Sequence, residues 1–165
     1  MTRFLPGLAA LRGIAWTALV VCVLAGLSGC GAGVMARKLV RSDLYATVES
    51  APDANLNNPV ALDIVLVYNE DLEQELLGLT ARQWMEKKAQ FKLDHRLNED
   101  YVLWELEPVP GLDMEDLELP LTVSGKAFIV FVDYYTPGDH RVRTDPRHSF
   151  IIRLKQRNFV VEMIQ

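Results

Sequence analysis

The sequence predicts a mostly-β domain, a two-sheet β-sandwich with a small helical insertion. Three observations lead there: about eight short apolar or alternating segments separated by turn formers, one stretch where the apolar period turns helical, and a near-continuous apolar run from Ala127 to Tyr135. Strands that short bury little by themselves, and two sheets packed face to face cover them.

In chain order, Leu44 to Val48 is the first strand, ending at Ser50-Ala51-Pro52-Asp53. Residues 51–59 are dense in Pro, Asn and Asp, which form turns, and carry one apolar residue, Leu56, in their middle. From Val60 to Tyr68 the alternation is strongest; Asp63 marks the wetter face, and apolar residues on both faces predict a largely covered strand. From Asp71 to Asp94 the spacing is helical, with Leu72, Leu76 and Leu79 on one stripe and Trp84, Lys88 and Phe91 on another. Gly78 divides the stretch, and Thr80 with Gln83 has the form of a capping box that starts a second helix at Ala81. Arg82, Glu86, Lys87 and Lys92 make its solvated face.

Strands resume at Tyr101 to Leu106, followed by a turn at Pro108-Val109-Pro110-Gly111. Leu117, Leu119, Leu121 and Val123 alternate, with Pro120 marking an edge or a break. The run from Ala127 to Tyr135 is a central sandwich strand, and Thr136-Pro137-Gly138-Asp139 turns the chain back. Strands near Arg141 to Thr144, Ser149 to Lys155 and Phe159 to Ile164 complete the set.

Motifs for chemistry are scarce. The sequence has no Gly-rich phosphate loop, no metal-spaced Cys or His pair and no nucleophile elbow, so neither an enzymatic activity nor a metal or other cofactor is expected. His95, His140 and His148 sit among charged or turn residues and read as solvated. Asp113, Glu115, Asp116 and Glu118 form an acidic patch that reads as a solvated loop. Asp133, inside an apolar strand, needs a partner, and Arg141 or Arg143 across the hairpin is the expected one. Trp84, Trp104, Tyr134 and Tyr135 offer stacking faces for a sugar or peptide groove, but each falls where a strand or helix buries it, which favours core packing.

The N-terminus decides the compartment. Arg3 and Arg12, an apolar run from Ile14 to Leu27 and then small residues follow the order of a secretory signal. Leu27-Ser28-Gly29-Cys30 resembles the bacterial lipobox, which implies cleavage before Cys30 and three acyl chains on it. Each buried CH2 contributes roughly 0.8 kcal/mol, so three chains anchor permanently where one binds marginally. Cys22 follows the bulky Val21 and fits the motif poorly, and Gly31 in place of Asp favours the periplasmic face of the outer membrane by resemblance. The alternative is an uncleaved transmembrane helix from Ile14 to about Met35. Residues 1–29 are thus expected to be a cleaved signal, 30–42 a lipidated N-terminus and tether, and 43–165 the domain, with its helical insertion at about 71–94. Losing residues 1–29 removes two basic and no acidic residues, moving the formal charge from -5 to -7. An acidic balance disfavours nucleic acid as a partner. With no cysteine after Cys30, packing alone must hold the fold.

The order of elements resembles one family, the outer-membrane lipoproteins of type VI secretion systems called TssJ. The resemblance lies in the lipobox, the loop Ala54-Asn55-Leu56-Asn57-Asn58-Pro59, the strand ending in Tyr68, the helical insertion, Pro110-Gly111 and the closing segments Ile152 to Lys155 and Phe159 to Glu162. The family's usual Gly-containing loop is replaced here by Asn57-Asn58, and the insertion carries more charge. The resemblance implies a transthyretin-like β-sandwich, no enzymatic activity, and a scaffold that binds the periplasmic region of the inner-membrane protein TssM. It places the partner contact on Asn55, Leu56, Asn57 and Asn58, with Leu56 as an apolar anchor among amides. A periplasmic immunity or ligand-binding lipoprotein unrelated to secretion is the alternative function.

Overall fold

Among the described residues, eight strands and two α-helices follow one another in the order β1 (Leu44–Ser50), β2 (Leu62–Val67), α1 (Glu70–Leu77), α2 (Ala81–Asp94), β3 (Tyr101–Leu106), β4 (Met114–Leu119), β5 (Ala127–Val132), β6 (Arg141–Thr144), β7 (Phe150–Leu154) and β8 (Phe159–Met163). The computed structural model describes residues 44–119 and 124–164. The strands form two four-stranded sheets, β4-β1-β7-β8 and β3-β2-β5-β6. Every strand pair is antiparallel except β1 with β7, which run parallel with Ala46 opposite Phe150 and Ser50 opposite Leu154.

Side-chain alternation along each strand divides the apolar residues between two cores. Leu62, Ile64 and Leu66 of β2 and Phe128, Val130 and Val132 of β5 pack against Ala46, Val48, Phe150, Ile152 and Leu154 of the other sheet. The opposite faces of the same strands, Val65, Val67, Ile129 and Phe131, pack under Leu72, Leu76, Trp84 and Phe91 of the helices. β2 and β5 are therefore buried along their whole length, which is why their sequences are nearly unbroken apolar runs.

Local chemistry sets the helix limits. Asn69 caps α1 by accepting from the Leu72 amide at 2.8 Å, and Glu70, Asp71 and Glu73 place negative charge in its first turn, where the helix dipole favours it. Thr80 and Gln83 form the reciprocal capping box that starts α2. Trp84 then stacks on Phe131 with ring centroids 5.1 Å apart and meets the edge of Phe91 at 5.0 Å. Such aromatic pairs add about 1 kcal/mol to the burial itself.

Four expectations are corrected here. Asp63 does not face water: it is 1% exposed, because it shares the face of β2 that α2 covers. Asp133 lies just past the end of β5 and pairs with Arg82 of α2 at 3.0 Å, while Arg141 donates to the Leu79 carbonyl and Arg143 binds Glu73 at 2.6 Å. The acidic patch is not a loop, since Glu115, Asp116 and Glu118 belong to the edge strand β4, with only Asp113 before it. Asp116, at φ 54°, is the extra residue of a bulge in the β1–β4 pairing, and charge plus a bulge keeps an open edge from recruiting other strands. Fourth, Tyr135 is 63% exposed, whereas Trp84 and Tyr134 are buried and Trp104 is half-buried against the core. Cys30 and the signal and tether, like Pro120 to Val123, lie outside the described residues.

Candidate functional site

The chain enters β1 at Leu44, and the loop after Ser50 lies at the strand's other end, roughly 20 Å away. That loop contains three consecutive left-handed residues: Asn55 (φ 45°, ψ 43°), Leu56 (φ 56°, ψ 42°) and Asn57 (φ 63°). Asn tolerates this region because its short amide can bond locally, but for an ordinary residue such as Leu it costs about 1–2 kcal/mol. The turn persists because its surroundings over-determine it. The amides of Asn55 and Leu56 donate to the carbonyls of Lys155 and Gln156 at 3.2 and 3.1 Å, extending the contact between the ends of β1 and β7 into the loop. The Asn55 side chain, 1% exposed, accepts from the Tyr135 amide at 2.9 Å and donates to the Pro59 carbonyl at 3.1 Å. Asn58 closes the turn, its side-chain amide donating to the Leu56 carbonyl at 2.9 Å. Leu56 itself is left 39% exposed beside the exposed Asn57.

The β5–β6 loop stands against this turn. The Tyr134 hydroxyl donates to the Lys155 carbonyl at 3.0 Å and accepts from the Lys155 amide at 3.1 Å, while its ring lies between His140 and Phe159. Burial pushes the Tyr134 phenol up to about 12, although the bond to Lys155 pulls the other way. Tyr135, the next residue, points outward. Thr136 donates to the Arg157 carbonyl at 2.7 Å. At Gly138, φ 153°, a Cβ would sit 2.9 Å from the His140 ring, which folds back so that Nε2 donates to the Thr136 carbonyl at 2.8 Å. A depression of about 220 Å³ between this loop and Arg82 completes the surface.

His95 ends α2 with its ring against Phe91, His140 is held in the loop just described, and His148 is exposed. The groove of about 350 Å³ between α1 and α2 is floored by Trp84 and Phe91 and rimmed by Glu75, Lys87, Asp94 and His95, with His95 Nε2 3.9 Å from the Glu75 carboxylate. Asp63 accepts from Trp84 Nε1 at 2.7 Å and from Lys88 Nζ at 3.0 Å, and Lys88 also meets Glu105 at 3.0 Å. Burial raises the Asp63 pKa despite those donors. It works against the Lys88 charge too, but the bonds to Asp63 and Glu105 outweigh it and the Lys88 pKa is raised. Among the described residues no three His, Cys, Asp or Glu side chains converge as a metal site.

No protein-family model matches the chain, and no curated protein matches it. Solved structures do. The type VI secretion lipoprotein TssJ1 from Pseudomonas aeruginosa superposes with a TM-score of 0.58 at 14% identity, over 74% of this chain and 96% of that one. The domain has the TssJ fold. A chain of the type VI membrane complex shares it with a TM-score of 0.57 at 11% identity, over 73% of this chain and 97% of its own. So does a chain of the structure described as the TssM C-terminal domain (869–1107) from EAEC, with a TM-score of 0.54 at 12% identity, over 74% and 98%. On the TssJ fold of this chain, the structure brings Asn55, Leu56, Asn57 and Asn58 together in one turn and adds Tyr135, which sequence reasoning assigned to the core. Its signal was present as the second of two adjacent tyrosines just before Thr136-Pro137-Gly138, where alternation must turn one of the two outward.

Proposed function

We propose that this chain is the outer-membrane lipoprotein of a type VI secretion membrane complex, a non-enzymatic scaffold that binds the periplasmic domain of the TssM-like inner-membrane protein. In this reading the mature protein starts at Cys30, residues 30–42 tether it to the periplasmic face of the outer membrane, and residues 43–165 are the binding domain. The observation that carries the reading is the left-handed turn. On a TssJ fold, at the opposite end from where the chain enters, a buried lattice of hydrogen bonds holds a leucine in an unfavourable backbone conformation and leaves its side chain in water. A strained, over-determined exposed residue is a common mark of a binding site. Leu56 is the anchor and Asn57 and Asn58 flank it, while Asn55, buried and fully bonded, acts by positioning it.

The test uses the full lipidated chain in nanodiscs and the periplasmic domain of the TssM-like protein from the same cell. Nanomolar to micromolar binding is expected, and Leu56→Ala should weaken it about ten-fold or more while leaving the unfolding midpoint nearly unchanged. Absence of binding by the wild-type chain overturns the function. Full binding by the alanine variant overturns the site.

A further inference from the structure

Stable protein interfaces bury about 800 Å² on each partner, more than the four-residue turn Ala54–Asn57 presents by itself. The surface around Leu56 is therefore larger than the loop that bears it, and the hydrogen bonds show which segments move with it. Tyr135 is tied to the turn through the Asn55 side chain, and Gln156 through the Leu56 amide; Thr136 and Arg157 are tied to each other. Three segments thus form one pre-organised face, which lowers the ordering cost of association.

We infer that Tyr135 is a second apolar anchor of the partner-binding face, and that Lys155 and Arg157 read carboxylates bordering an apolar patch on the partner. This rests on the scaffold reading above and extends it from one loop to three. Tyr135 is 63% exposed while its neighbour Tyr134 is 3% exposed and locked in place, so a rigid backbone presents a large amphipathic side chain, the type that dominates interface energetics. The charges are distinctive as well. Arg82, Lys88, Lys92, Arg96, Lys126, Arg143, Arg147 and Arg153 each meet a carboxylate. Lys155 and Arg157 are exposed and, like Lys87 on α2, have no ion pair among the described residues; what sets them apart is their place on the turn that the Leu56 loop bonds to. Asp53 and Asp139 are exposed acids on the two neighbouring loops, with the Arg82–Asp133 pair between, and Asp113 and Glu49 line one depression with Lys155. Unpaired cations at the rim of an apolar centre steer an acidic partner and set specificity more than affinity.

The experiment measures association and dissociation of the same periplasmic domain on the full chain in nanodiscs, at low and high salt. Tyr135→Ala should weaken affinity about ten-fold or more, Tyr135→Phe should retain binding, and the two alanine changes at Leu56 and Tyr135 should couple in a double-mutant cycle. Lys155→Glu with Arg157→Glu should slow association several-fold at low salt, a difference that shrinks at high salt. If the wild type binds and Leu56→Ala abolishes binding, but Tyr135→Ala and the charge reversal both bind as the wild type does, this inference falls and the scaffold reading stands. If the wild type does not bind, both fall.

Discussion

Asp63 concentrates the physics of the buried charges. Its carboxylate is enclosed beneath α2 with the Trp84 indole and the Lys88 ammonium as donors, and Asp63→Ala would strand both. A fully buried broken pair costs about 3–5 kcal/mol. Lys88 is 23% exposed and keeps Glu105, so about 2 kcal/mol is expected, read from urea unfolding. The pH dependence has a definite sign. Burial raises the Asp63 pKa above its ordinary 3.8, so the folded state holds this proton to higher pH than the unfolded chain. Its contribution is greatest below 3.8 and declines as pH rises through the raised value. The stability difference between wild type and Asp63→Asn should therefore shift against the wild type as pH climbs through that window. A flat difference would refute the raised pKa. From the sequence, Asp63 marks a wet face; its burial follows from a helix that arrives after β2 and covers it.

At the scale of the element, the helices and the loop after β1 differ in how much their own residues decide. The capping box of α2 is spelled out by Thr80 and Gln83, and Thr80→Ala should cost about 1 kcal/mol, checked by thermal unfolding. The strand periods and the break at Gly78 were equally legible, because alternation and helical spacing are local properties of the chain. The left-handed turn was not. Pro, Asn and Asp announce a loop, but three successive positive φ values depend on Lys155, Gln156 and Tyr135, between 80 and 100 residues away. Asn55→Ala removes both side-chain bonds and places Ala in the left-handed region, so a loss of about 2–3 kcal/mol is expected in denaturant unfolding. The acidic run at β4 was misread for a related reason: three carboxylates look like a solvated loop until a neighbouring strand pairs with them.

For the whole molecule, the arrangement has a direction. β1 begins at Leu44, and the candidate face closes the sandwich at the far end of that strand. Cys30→Ser should abolish acylation and leave residues 1–29 attached, read from the mass of the purified protein, without changing the domain's unfolding midpoint. A wild-type protein that keeps residues 1–29 and carries no acyl mass would argue against the lipid anchor and for a spanning helix. By itself the sequence determined the sandwich class, the helical insertion and the capping box of its second helix, and the loop that carries Leu56, because patterns of burial and turn formation are written in consecutive residues. The tertiary structure alone decided that Asp63 is enclosed, that Asn55 is a strut, and that the Tyr135 amide is held by the Asn55 side chain. Those three depend on which distant segments meet at one end of two sheets, and spacing along a chain carries no record of that.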